Sequence, residues 1–189
     1  MSAWSVTCGG DLLYDPRLDA YKLPTLRLSM ELNKADSLTF DIYPQHPNFA
    51  SVKKLKPTIT VMNGDRIMSK SRALDDDIGW ENGKHIITEG PLAWLNDSIQ
   101  RPFSFPVDPA HATPADYFTF LIQRHNEQEP ADRQFAVGTI TVTDPNGYIA
   151  RSDTEYSKTW KLLKEGLLDT VGGYIVPRYS GDIIYLDYL

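Results

Sequence analysis

Leu26, Leu28, Met30 and Leu32 fall on alternate positions, with Arg27, Ser29, Glu31 and Asn33 between them. Period-two alternation is the pattern of a strand with one buried face. Lys34, Ala35 and Asp36 read as a turn. Leu38, Phe40 and Ile42 then repeat the pattern against Thr39, Asp41 and Tyr43, which predicts a hairpin. Pro44 ends the second strand because it has no N–H for a ladder. Pro47 suits the first turn of a short helix, with Phe49, Val52 and Leu55 on its apolar edge, Lys53, Lys54 and Lys56 outward, and Pro57 as its stop. Residues 58–62 return to strand, Asn63-Gly64 is a hairpin signal, and residues 66–74 form its second arm. Hairpin, one-turn plug helix and hairpin predict a small barrel or strongly curled sheet with a helix over one end.

The flanking segments follow the same grammar. Trp4, Val6 and Cys8 alternate with Ser5 and Thr7, Gly9-Gly10 turns the chain, and residues 12–14 begin a second short strand ended by Asp15-Pro16. Residues 78–80, the turn Asn82-Gly83 and residues 84–89 predict a third hairpin. Pro91 then opens one helical turn in which Trp94 and Leu95 close the barrel end. Between residues 99 and 112, Pro102, Pro106 and Pro109 interrupt Phe103, Phe105 and Val107, the texture of an extended connector. Thr113-Pro114-Ala115-Asp116 has the form of a capping box with proline at the first helical position. Ala115, Phe118, Leu121, Ile122 and His125 share one face of the helix that follows. Phe135 and Val137 are out of phase with Ile140 and Val142, which predicts a β-bulge at Gly138-Thr139. Residues 144–147 read as a turn. A helix over about 157–170 buries Trp160, Leu163, Leu167 and Val171, and Gly172-Gly173 caps it. Residues 174–179 and 183–189 make a last hairpin around Ser180-Gly181-Asp182, and its second strand is apolar on both faces. Such a strand calls for cover, from a neighbouring subunit or from a continuation of the chain. Ile184, Leu186 and Tyr188 are therefore the predicted oligomer-interface residues.

Composition narrows the classes. The 189 residues are 41% hydrophobic and 23% charged, ordinary values for a globular protein. A net charge of −6 argues against a surface that grips nucleic acid, though not against a pore through which it passes. Lys53, Lys54 and Lys56 read as a solvated face. The single cysteine, Cys8, permits no internal disulfide and reads as a small core residue. Residues 1–10 lack the basic start and apolar core of a signal peptide, and no apolar run reaches membrane-spanning length, so assembly in a cytoplasm without membrane insertion is expected.

Candidate chemistry is sparse. His46, His85, His111 and His125 have no metal-ligand spacing. They read as a helix-start residue, a strand residue, a loop residue and a satisfied imidazole on the apolar side of its helix. Asp11, Asp15 and Asp19 recur every four residues without a calcium-loop pattern and read as turn residues. Asp75, Asp76 and Asp77 read as an exposed edge that blunts strand pairing rather than a cation site. There is no Gly-x-Ser-x-Gly elbow and no phosphate-cradling glycine loop. No catalytic residue, cofactor or metal is expected.

Several of these segments carry a likeness. Gly10-Asp11-Leu12-Leu13-Tyr14-Asp15-Pro16-Arg17, Asn33-Lys34-Ala35-Asp36-Ser37-Leu38, Pro44-Gln45-His46-Pro47 with Lys53-Lys54-Leu55, residues 89–98, and Thr141-Val142-Thr143-Asp144-Pro145 leading to Tyr148-Ile149 resemble the N-terminal hub region of siphophage and prophage tail proteins. These are the minor structural or "prophage endopeptidase tail" proteins of Gram-positive phages. The resemblance covers residues 10 to the end and favours a continuation of the chain past residue 189. It implies a part of the virion tail tip, a baseplate hub that assembles as a trimeric ring. Such a hub closes the tail tube, joins it to the fibre or spike, and leaves a channel for DNA. Where the family carries a hydrolase, it lies beyond the hub-like part, so this chain is expected to be no enzyme.

The expected fold is β-rich α+β with ten to twelve strands and two longer helices. Residues 1–98 form a barrel-like lobe, 99–112 a connector, 113–171 a smaller α+β lobe, and 172–189 a hairpin returning to the first lobe. Two other readings stand beside the structural one. The first is part of a tail-associated peptidoglycan hydrolase. The second is a host-glycan-binding module using exposed Trp and Tyr; the core-like placement of the tryptophans counts against it.

Overall fold

A computed structural model describes residues 4–79, 82–106, 112–146 and 148–189. The expectations placed on Trp80, His111 and Gly147 lie outside the described residues. The chain divides into two compact units, Met1–Pro91 and Leu92–Leu189. The fold is α+β and strand-rich, with a curled half-barrel sheet and a smaller helical and sheet portion.

The first unit is built from β1 (Trp4–Cys8), β2 (Asp11–Tyr14), β3 (Leu26–Ser29), β4 (Ser37–Ile42), β5 (Ile59–Asn63), β6 (Arg66–Ala73) and β7 (Lys84–Glu89). Their order across the sheet is β2-β1-β5-β6-β7-β4-β3, every pairing antiparallel. Alternation decides what is buried. Val6, Cys8, Leu38, Phe40, Ile42, Ile59, Val61 and Ile86 fill the concave core with Leu13 and Val52. The predicted hairpins β3–β4 and β5–β6 are present, and the Gly64 of the second turn is left-handed at φ 61°.

Three expectations change here. β3 stops at Ser29, and Met30 and Leu32 are 55% and 67% exposed instead of continuing the buried face. The reason is Asp36, whose carbonyl accepts the Gly90 N–H at 2.8 Å and whose carboxylate accepts the Ser69 hydroxyl. These bonds draw the end of the turn toward β6 and β7 and away from β3. A Cβ at Gly90 would lie 1.5 Å from Asp36 Oδ1, so only glycine permits this approach. Second, the plug is one 3₁₀ turn, Phe49–Ser51, followed by a separate turn through Lys53 to Lys56. Leu55 sits there with φ 56° and faces solvent rather than an apolar helix edge. Third, residues 78–79 are not strand. The Gly79 N–H donates to the Gly83 carbonyl and the Asn82 N–H to the Gly79 carbonyl, and β7 pairs with β6 and β4 instead.

The predicted helical turn α1 (Pro91–Trp94) leads into the second unit. A short strand β8 (Phe103–Phe105) lies within the expected connector. Helix α2 (Pro114–Asn126) follows, then β9 (Ala136–Ile140), β10 (Arg151–Asp153), α3 (Thr159–Leu163), and the hairpin β11 (Ile175–Ser180) and β12 (Ile183–Tyr188). β8 pairs with β10. The second sheet runs β11-β12-β9, antiparallel on one side of β12 and parallel on the other. The last hairpin thus completes the sheet of its own unit.

The β9–β12 register advances two residues on β12, from Leu186 to Tyr188, for three on β9, from Val137 to Ile140. The extra residue sits at Gly138-Thr139, where the phase change predicts the bulge. α3 is shorter than expected because residues Lys164–Leu168 form a π-helical turn. That turn shifts the buried face to Leu162, Leu163 and Leu167, leaving Trp160 and Val171 half-buried. Gly166 lies in this turn, and a Cβ there would come within 2.8 Å of the Tyr117 ring.

Candidate functional site

The predicted interface residues are placed inside the chain. Ile184, Leu186 and Tyr188 are buried, and Tyr188 stacks on Phe118 with ring centroids 5.6 Å apart. β12 reads as apolar on both faces because it is the middle strand of its sheet. Its own unit supplies the cover, so these three side chains present no surface to another copy.

The described histidines are held by structural bonds. His46 Nε2 lies 2.8 Å from the Leu13 carbonyl, which can only accept, so that nitrogen carries the proton. Nδ1 then accepts the Asn48 N–H at 3.0 Å, and the Phe49 N–H reaches the His46 carbonyl. His46 therefore starts the 3₁₀ turn, as its place before Pro47 suggests. His85 stands on β7 with Nδ1 2.6 Å from Asp41, whose other oxygen accepts the Thr25 hydroxyl.

His125 belongs to an arrangement that sequence spacing does not reveal. The Arg133 carbonyl, 3.2 Å away, accepts from Nε2. Nδ1 is then an acceptor, and the Ser98 hydroxyl donates to it at 2.7 Å. Thr159 donates to Ser98 at 2.6 Å, and Gln100 Nε2 donates to Thr159 at 2.6 Å. The chain of donors runs one way, from Gln100 through Thr159 and Ser98 to His125 and the Arg133 carbonyl. Burial favours the neutral imidazole by lowering its pKa. A serine hydroxyl on a histidine is a nucleophile's geometry. Here all four side chains are buried, so the arrangement ties α1's exit, α2 and α3 together. Nothing at the level of sequence signals it, because Ser98 and Thr159 are 61 residues apart.

Cys8 is buried with Sγ 3.4 Å from the Ser51 carbonyl, and burial pushes its thiol up to about 12, which removes it as a nucleophile at neutral pH. Asp15 is fixed by the Arg17 guanidinium and, after it, by the Arg17 backbone N–H, which pull its carboxyl down to about 2. Oxygens of Asp75, Asp76 and Asp77 lie within 4.8 Å of one another. Asp75 Oδ1 accepts the backbone N–H groups of Asp76 and Asp77 at 2.7 and 3.2 Å, a turn-forming role.

The surface of the first unit carries an open groove of about 580 Å³ between edge strand β3 and the β1–β2 hairpin. Trp4, Tyr14, Leu26, Leu28 and Met30 line it over Val6, Leu38 and Val61, without a charged side chain. Such a lining suits contact with another apolar chain rather than catalysis on a polar substrate. Among the described residues no helix is long and apolar enough to cross a membrane.

A half-barrel unit followed by a smaller helical and sheet unit defines the class: a strand-rich α+β protein. No family model matches the chain, and no curated protein matches it in sequence. Solved structures do share the fold. The 43 kDa tail protein of prophage MuSo2 from Shewanella oneidensis aligns over 100% of this chain and 54% of its own, with a TM-score of 0.62 and 15% identity. The prophage tail protein gp18 from Listeria monocytogenes EGD-e aligns over 99% of this chain and 50% of its own, with a TM-score of 0.57 and 14% identity. The chain spans about half the length of each. At this level of identity the likeness is one of fold.

Proposed function

We propose that this chain is a structural part of a phage or prophage tail. The supporting observation is the fold shared with two prophage tail proteins along the whole of this chain. The short motifs that resemble tail hub proteins point to the finer reading. In it the chain belongs to the tail tip, closes the tube, and joins it to the fibre or spike around a channel for DNA. Its partners are further copies of itself in a trimeric ring and the neighbouring tail proteins, and its place is the virion tail after assembly in the host cytoplasm. No catalytic step is assigned to it.

The test is location in the particle. In virions from the strain that encodes the chain, gold-labelled antibody against it should gather at the tail end distal to the capsid. Label along the whole tube would overturn the tip reading, and particles without label would overturn the tail reading.

A further inference from the structure

The first unit also carries an apolar patch with a rim of two signs. The β6–β7 ladder pairs Arg72 with Glu89 and Ala73 with Thr88, and the Leu74 N–H donates to the Ile87 carbonyl at 2.9 Å. Leu74 and Ile87 are therefore opposite one another, and directly opposed residues of an antiparallel pair share a face. Their side chains are 39% and 45% exposed, so this face is the solvent side. Leu55 is tied to the residue before Leu74 by its N–H, which donates to the Ala73 carbonyl at 2.8 Å, and it is 40% exposed. A leucine with φ 56° is in a region that branched side chains avoid, and its exposure supplies little burial to offset that cost. Strain of this kind is retained where it aims a side chain.

The rim is divided. Around Leu55 it is basic, since Lys53, Lys54 and Lys56 are all exposed. Beyond Leu74 it is acidic: Asp75 and Asp77 are exposed, Asp76 half-buried, and Ile78 extends the apolar surface. A partner of one charge sign would meet repulsion at one half of this rim. A second copy meets complementarity at both, lysines against aspartates. An apolar centre with a polar rim is also the anatomy of a protein interface rather than of a nucleic-acid grip. We infer that this patch is where a second copy of the chain docks, with Leu55, Leu74 and Ile87 at the centre and the Lys53–Lys54–Lys56 side of one copy on the Asp75–Asp76–Asp77 side of the other. The inference does not rest on the tail reading.

The experiment is sedimentation of the full chain across a concentration and salt series, with two charge-reversed variants. One carries Lys53→Glu, Lys54→Glu and Lys56→Glu, and the other Asp75→Lys, Asp76→Lys and Asp77→Lys. The unaltered chain should self-associate and weaken with salt. Each variant alone should self-associate at least about tenfold more weakly, because its rim repels itself. An equimolar mixture of the two should associate again, since each supplies the sign that the other lacks. That recovery separates a docking surface from simple misfolding. A chain that stays monomeric throughout, variants that associate like the unaltered chain, or a mixture that stays monomeric would overturn the inference. Labelling of virions reads the tail assignment separately.

Discussion

Asp187 is the one carboxylate within the strands of the second unit's β11-β12-β9 sheet. Its Oδ1 accepts the Thr139 N–H at 2.7 Å, which satisfies the backbone freed by the bulge in β9. Its Oδ2 accepts Arg178 Nε at 2.7 Å, and the guanidinium lies over the Tyr185 ring at 4.6 Å. Gly138 leaves room for all of this, since a Cβ there would lie 1.9 Å from Oδ1. The bond from Arg178, ahead of the one from Thr139, lowers the Asp187 pKa in the folded chain. The folded state therefore releases the proton more readily than the unfolded one. The resulting stabilisation is complete above the ordinary carboxylate value of about 3.9 and is lost as pH falls through the folded value. Asp187→Asn keeps an acceptor for Thr139 but does not titrate. It should be less stable by about 1 kcal/mol at pH 7, a charge-assisted bond to a half-exposed arginine. In urea unfolding at pH 7, 5 and 3, the gap between the two proteins should hold from 7 to 5 and shrink at 3; a gap constant with pH would refute the assignment. The bulge itself was legible, because Phe135 and Val137 fall out of phase with Ile140 across a glycine. The carboxylate that holds it was not, because Asp187 lies 48 residues from Thr139 and reads only as a polar interruption in an apolar strand.

Elements bounded by strong local chemistry were the most readable. α2 begins where the capping box places it. Thr113 Oγ1 accepts the Asp116 N–H at 3.2 Å and Asp116 returns the bond from the Thr113 N–H at 2.8 Å. The helix then buries Phe118, Leu121, Ile122 and His125 as its spacing requires, and adds Tyr117, which the spacing omits. The box should count for about 1 kcal/mol. Thermal unfolding of Thr113→Ala should show that loss and Thr113→Ser almost none; equal stability of all three would mean that tertiary packing alone sets the helix start. Where a second part of the chain competes, local reading failed. The plug helix became one 3₁₀ turn because Leu55 bonds to Ala73, and β3 ended early because Asp36 bonds to Ser69 and Gly90. The π turn at Lys164–Leu168 places Gly166 against Tyr117 and its carbonyl 2.9 Å from Arg151 Nε. None of these partners is near in sequence, and hydrophobic period alone carries no trace of them.

At the scale of the whole molecule, the question is which surfaces remain for assembly once the chain has folded. β12 is removed, because β11 and β9 occupy its two edges and its side chains fill the core. Among the described residues, the first unit leaves open the groove beside edge strand β3 and the patch around Leu55 and Leu74. A closed ring of identical subunits needs a contact in which one part of a subunit meets a different part of the next. The patch docked on its own counterpart is instead self-complementary, the same surface on both copies. A face-to-face pair would close after two copies, whereas a head-to-tail contact closes at the number fixed by its rotation. The proposed hub reading asks for three, which the patch alone does not supply and which needs a second, head-to-tail contact. Light scattering across a concentration series at low salt should therefore plateau at twice the mass of one chain where the patch acts alone, and the two-copy species should recede as salt rises. A plateau at two copies would keep the patch as an interface and leave the ring to that second contact. A three-copy species indifferent to salt would keep the ring and transfer its contact to the apolar groove, where Trp4, Met30 and Leu28 carry no charge for salt to screen.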